Sequence, residues 1–181
     1  MGSSERDRCV LLCGLMGSGK SRVGRALASR LGWPFLDTDE RVESAAGVKV
    51  AEIFARDGES AFRRLESAAL ADLPTHRHVV ALGGGAVVSA ENRRVLHEKG
   101  HLVWLDADPE TLAERIGDSQ KRPLLAGLDR AARVAKLRQL RAERLSAYSD
   151  RTLQVKTDGL SVEQSAAKVH AALQGLLAGE R

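Results

Sequence analysis

The chain has 181 residues, of which 43% are hydrophobic, enough for one α/β domain with a substantial core, and no apolar run approaches the roughly eighteen residues of a membrane span. Its formal charge of +4 is spread among interleaved acids and bases with only six aromatic side chains, which argues against a nucleic-acid surface and for small anionic substrates. A basic start without an apolar signal stretch, and two cysteines too far apart to pair, point to a reducing cytoplasm. Cys9 and Cys13, four apart on one strand, would lie about 13 Å from each other.

Residues 1–7 are expected to be a disordered lead-in to a single domain spanning the chain. Cys9-Val10-Leu11-Leu12-Cys13 then reads as a buried strand. Directly after it, Gly14-Leu15-Met16-Gly17-Ser18-Gly19-Lys20-Ser21 fits the phosphate-loop pattern G-x-x-x-x-G-K-[ST] at every fixed position. Val23, Leu27 and Leu31 follow at helical spacing. Strand, glycine loop and helix together predict a backbone nest for the phosphates of a nucleoside triphosphate. In that nest Lys20 reaches the terminal phosphates and the Ser21 hydroxyl ligates Mg²⁺.

Trp33 to Leu36 reads as a second strand running into Asp37-Thr38-Asp39, which would turn both carboxylates to one face at the ligand edge of a parallel sheet. From Glu40 to Leu73 the pattern is helical, with breaks at Gly47 and at Asp57-Gly58. Arg63 and Glu66, three apart, are helical neighbours, and spacing alone makes them a surface ion pair worth little. His78 to Leu82 is another buried strand that enters Gly83-Gly84-Gly85. Such a run requires either an extreme turn or a ligand pressed against the backbone, and its place at the ligand edge favours the ligand.

A helix over Glu91–Glu98, a strand over His101–Asp106 and a helix opened by Asp108-Pro109 come next. Asp118 to Gly127 is polar and proline-marked, with Lys121 and Arg122, and reads as a mobile cationic lid. Asp129 opens a long helix to about Tyr148, with Arg133 and Arg138 on its solvated face and Arg144 and Tyr148 sharing another. Leu153 to Val155 is a fifth strand, and a final helix carries Val162, Ala166, Val169, Leu173 and Leu176 as an apolar stripe. The histidines have no metal-ligand spacing.

The phosphate loop, Asp37-Thr38-Asp39, Phe62-Arg63-Arg64-Leu65-Glu66, Gly83-Gly84-Gly85, Arg122-Pro123-Leu124-Leu125, and Arg144 with Tyr148 occur in an order that resembles shikimate kinase over roughly residues 9–175. The resemblance implies a three-layer α/β/α P-loop kinase fold. It would have a five-stranded parallel sheet, a substrate-binding segment at about 40–74 and a lid at about 118–127. It implies a monomeric enzyme that uses ATP and Mg²⁺ to phosphorylate the 3-hydroxyl of shikimate, on the way to chorismate and the aromatic amino acids.

By the same resemblance Gly17, Ser18, Gly19, Lys20, Ser21 and Arg22 hold the nucleotide phosphates, Arg115 stacks on adenine, and Ser21 and Asp37 serve the metal. Asp39 binds the acceptor hydroxyls, Arg63 and Arg144 its carboxylate, and Gly83, Gly84 and Gly85 lie against it. Glu66 orients Arg63, and Arg122 bridges phosphates and acceptor, joining Lys20 and Asp39 as the catalytic set. Two positions depart from the family pattern: Arg22 replaces a common threonine, and Leu145-Ser146-Ala147-Tyr148 lacks a common proline. A gluconate kinase would share loop and fold but has no reason to combine Arg63, Asp39 and three glycines. A non-catalytic nucleotide switch would need neither the lid arginine nor the paired carboxylates.

Overall fold

Strand β1 (Cys9–Cys13) is buried along its whole length. Cys9, Leu11 and Cys13 enter one apolar cluster while Val10 and Leu12 enter another. Burial on both faces explains why the run is continuously apolar, as expected for the centre of a parallel sheet. The computed structural model, which describes residues 5–117 and 123–179, places β3 (Val79–Ala81) and β4 (Gly100–Asp106) on either side of it, both parallel. β2 (Phe35–Asp37) pairs outside β3, and β5 (Leu153–Lys156) outside β4, giving the order β2-β3-β1-β4-β5.

Helices cover both faces. α1 (Lys20–Leu31) and α7 (Val162–Gly179) pack on the face of Val10 and Leu12 through Val23, Leu27, Ala166, Val169 and Leu173. On the other face α3 (Val50–Ala71), α4 (Ala90–Lys99), α5 (Pro109–Ile116) and α6 (Arg130–Ser149) contribute Leu70, Leu96, Leu112, Leu137 and Tyr148 to the cluster round Leu11 and Leu102. The result is the expected three-layer α/β/α arrangement. A small separate core of Val42, Ile53 and Phe62 joins α2 (Thr38–Ala46) to α3 beside β2.

Three expectations change. Glu5–Asp7 is not disordered: it forms a 3₁₀ turn, anchored where Arg77 N donates to Asp7 O at 2.7 Å. The second strand ends at Asp37, so Asp39 belongs to the first turn of α2 and not to a strand face. The expected break at Asp57-Gly58 is present, as a non-helical Gly58 (φ 80°, ψ 172°) between the two helical stretches of α3. Arg133 is buried, not solvated, because its guanidinium donates to Gly117 O and, at 3.0 Å, to Leu128 O. Among the described residues no helix is long and apolar enough to cross a membrane.

Candidate active site

The C-terminal ends of β1, β2 and β3 open into a cleft of about 860 Å³ lined by Gly17, Lys20, Asp37, Asp39, Gly84 and Arg115, among others. Gly17 (φ 82°) and Gly19 (φ 89°) hold left-handed conformations, which an L side chain would strain. These turns bring the loop's N–H groups to the start of α1, whose dipole favours an anion. Lys20 Nζ lies over the loop, donating to Gly14 O at 2.8 Å and Leu15 O at 3.1 Å. Ser21 Oγ, at the same helix start, donates to Asp37 Oδ2 at 2.6 Å.

Asp37 has a second task. Its Oδ1 accepts from Asp39 N at 3.0 Å, capping α2 and fixing Asp39 relative to the strand end. The two carboxylates thus share the cleft through a cap and not through strand alternation. Thr38, fully buried between them, accepts from Gly83 N at 2.8 Å through Oγ1 and ties this corner to the glycine run. Nothing in the sequence flags Thr38, since its partner lies 45 residues away.

The glycine run has a cause the sequence left open. None of Gly83, Gly84 and Gly85 has a positive φ, so no extreme turn demands them. A Cβ on Gly83 would lie 2.5 Å from Glu66 Oε1 and 2.8 Å from Asp39 Oδ1, and one on Gly85 would lie 2.6 Å from Arg63 Nη1. The side chains of the site itself occupy that space. Gly84 differs, with Arg144 Nη1 at 3.9 Å as the nearest atom to its Cβ position. Its carbonyl accepts from Arg144 Nη1 at 2.7 Å and from Tyr148 Oη at 3.5 Å. α6 runs unbroken through Leu145–Tyr148, so the missing proline leaves Arg144 at the glycine run.

Arg63 and Glu66 are not the surface pair that spacing alone suggests. Glu66 is 1% exposed; its Oε2 accepts from Arg63 Nη1 at 2.8 Å, and its Oε1 has no hydrogen-bond partner. Burial pushes the Glu66 carboxyl above its ordinary value; Arg63 pulls it down and Asp39 adds to the rise. A second carboxylate, Glu59, accepts from Arg63 Nη2 at 3.0 Å, so the guanidinium is held from two sides. Arg115, which lines the cleft, is fixed by Thr157, donating to its Oγ1 at 3.0 Å and its carbonyl at 2.5 Å. Arg22 lines the cleft as well. Ser18 is buried inside the loop. Arg122, the lid arginine of the sequence reading, lies outside the described residues.

A parallel sheet with a phosphate loop at one strand end, and arginines and carboxylates gathered at the next, defines a P-loop kinase of the small-molecule type. The sequence matches the family described as shikimate kinase over residues 16–174. A shikimate kinase of Symbiobacterium thermophilum is 46% identical over 169 residues, covering 91% of this chain and 95% of that protein. One of Moorella thermoacetica is 44% identical, with 93% and 95% covered. The solved shikimate kinase of Acinetobacter baumannii in complex with shikimate superposes with a TM-score of 0.86 at 32% identity, covering 94% of this chain and 95% of that one. The chain belongs to the shikimate kinase family.

Proposed function

We propose that this chain transfers the γ-phosphoryl group of ATP to the 3-hydroxyl of shikimate, giving ADP and shikimate 3-phosphate, and that it does so as a cytoplasmic monomer serving chorismate synthesis. The observation that carries this reading is the pair Arg63 and Arg144, which meet the glycine run at Gly85 and Gly84 respectively. Phosphoryl transfer by itself needs cations at the phosphates and not two further guanidiniums at a neighbouring strand end. Planar forked cations there suit a carboxylate that stays on the acceptor.

Gly17, Ser18, Gly19 and Lys20 take the phosphates, with Arg22 beside them and Arg115 against the adenine. Ser21 and Asp37 offer hard oxygen donors of the kind Mg²⁺ takes, 2.6 Å apart, and the ion supplies charge neutralisation between phosphates. Asp39, held by the Asp37 cap, accepts the acceptor hydroxyl, and Glu66 keeps Arg63 aimed at the carboxylate. Arg122 would carry positive charge to the transferred group. A panel of shikimate, gluconate and other hydroxy acids with coupled ADP detection tests the reading. Turnover confined to shikimate is the expected result, and preference for gluconate would overturn it.

A further inference from the structure

The three residues after the glycine run leave the sheet edge before α4 begins, and their carbonyls are all taken by two adjacent side chains of that helix. Asn92 Nδ2 donates to Ala86 O at 3.1 Å. Arg93 Nη1 donates to Val87 O at 2.8 Å and to Val88 O at 2.9 Å. Each side chain also reaches a further element. Asn92 Oδ1 accepts from Ser67 Oγ at 2.9 Å, and Ser67 follows Glu66 on α3. Arg93 Nε donates to Asp150 Oδ2 at 3.0 Å, at the residue that ends α6 two positions after Tyr148. The other oxygen of Asp150 meets His97 Nε2 at 3.0 Å, so α4 grips this end of α6 at two points.

Asn92 and Arg93 therefore join the three elements that carry the acceptor half of the cleft: α3 with Arg63 and Glu66, the glycine run, and α6 with Arg144. No such link runs from this pair to the phosphate loop among the bonds described. Asn92 is 6% exposed, so loss of its bond to Ala86 O is not made good by water, whereas the bonds of Arg93 to Val88 and Asp150 lie at the surface and contribute less each.

We propose that Asn92 and Arg93 are positioning residues that set the spacing of Arg63 and Arg144 about Gly83–Gly85, and so govern recognition of the carboxylate-bearing acceptor without touching it. The inference rests on the proposed function for the identity of the acceptor. Arg93→Met should raise KM for shikimate about tenfold and leave KM for ATP within about twofold. Arg93→Lys, which keeps a cationic donor on a long stem, should recover part of the loss. Asp150→Ala, at a half-exposed side chain, should shift the same KM in the same direction by a smaller factor, and it decides the matter if Arg93→Met does not fold. Amide exchange over residues 83–88 should quicken in these variants without any ligand. Equal changes in both KM values, or unaltered exchange, would overturn the proposal. Failure of the wild type to phosphorylate shikimate would instead remove the functional reading, and the exchange measurement would still decide the clamp.

Discussion

Glu66 Oε1 stands 2.5 Å from the point a Cβ on Gly83 would occupy, so the carboxylate and the glycine exclude any side chain between them. Glu66 is buried and cannot swing away, and Asp39 closes the same space from the other side. Gly83→Ala should cost about 1–3 kcal/mol as an overpacked site, lowering Tm by several degrees, and should displace Asp39 and Glu66 enough to abolish most turnover. Gly84→Ala should leave Tm unchanged, its nearest neighbour being 3.9 Å off, while raising KM for shikimate if the acceptor lies against that backbone. Thermal melts of the two variants side by side check the contrast; equal destabilisation would contradict it.

The burial of Glu66 also sets a pH dependence. Its folded carboxyl titrates above the ordinary value of 4.5, chiefly because burial disfavours the charged form. For such a group the stabilising contribution is full below the unfolded pKa and is lost as pH rises through the folded one. The stability of Glu66→Gln relative to wild type should therefore increase as pH rises from below about 4.5 through the window above it. Denaturant melts at a series of pH values measure this; a difference that shrank with rising pH would show that Arg63 outweighs burial.

Roles divide between the two neighbouring aspartates. Asn caps helices about as well as Asp, so Asp37→Asn should keep α2 intact while weakening the metal side, seen as a higher Mg²⁺ requirement. Asp39→Asn should lower kcat with KM for ATP and the Mg²⁺ requirement little changed. Superimposable Mg²⁺ titrations for the two variants would refute the division. Lys20→Met should keep the fold, since methionine retains the apolar stem at that position, yet lose about 100-fold or more in kcat.

How much of this was legible in the sequence depended on whether the cause of a feature was local. The phosphate loop was, because fixed glycines between an apolar strand and a periodic helix leave few other readings. β1 was, because burial on both sides makes it apolar at every position. Asp37 is at the expected strand end, but Asp39 sits in the first turn of a helix, since a carboxylate after a strand serves equally as strand end or helix start. Arg133 looked solvated because the carbonyls that bury it belong to loop residues on either side of the undescribed stretch, Gly117 and Leu128. Thr38, Thr157 and Asn92 left no signal at all, because their partners are distant in sequence. The glycine run was flagged, but its cause lay in side chains of other elements.

The central claim is that Arg63 and Arg144 bind a carboxylate that persists through the reaction, and the most direct measurement compares shikimate with an analogue carrying an alcohol in place of that carboxylate. A charged hydrogen bond of about 1.5–3 kcal/mol gives each arginine roughly a 10- to 150-fold effect, expressed in KM because ground and transition states are bound alike. The account predicts that Arg63→Ala and Arg144→Ala raise KM for shikimate by such factors, that the analogue is a correspondingly poor substrate of the wild type, and that its kinetics do not respond to Arg63→Ala. Phosphorylation of the analogue by the wild type as efficiently as shikimate would contradict it.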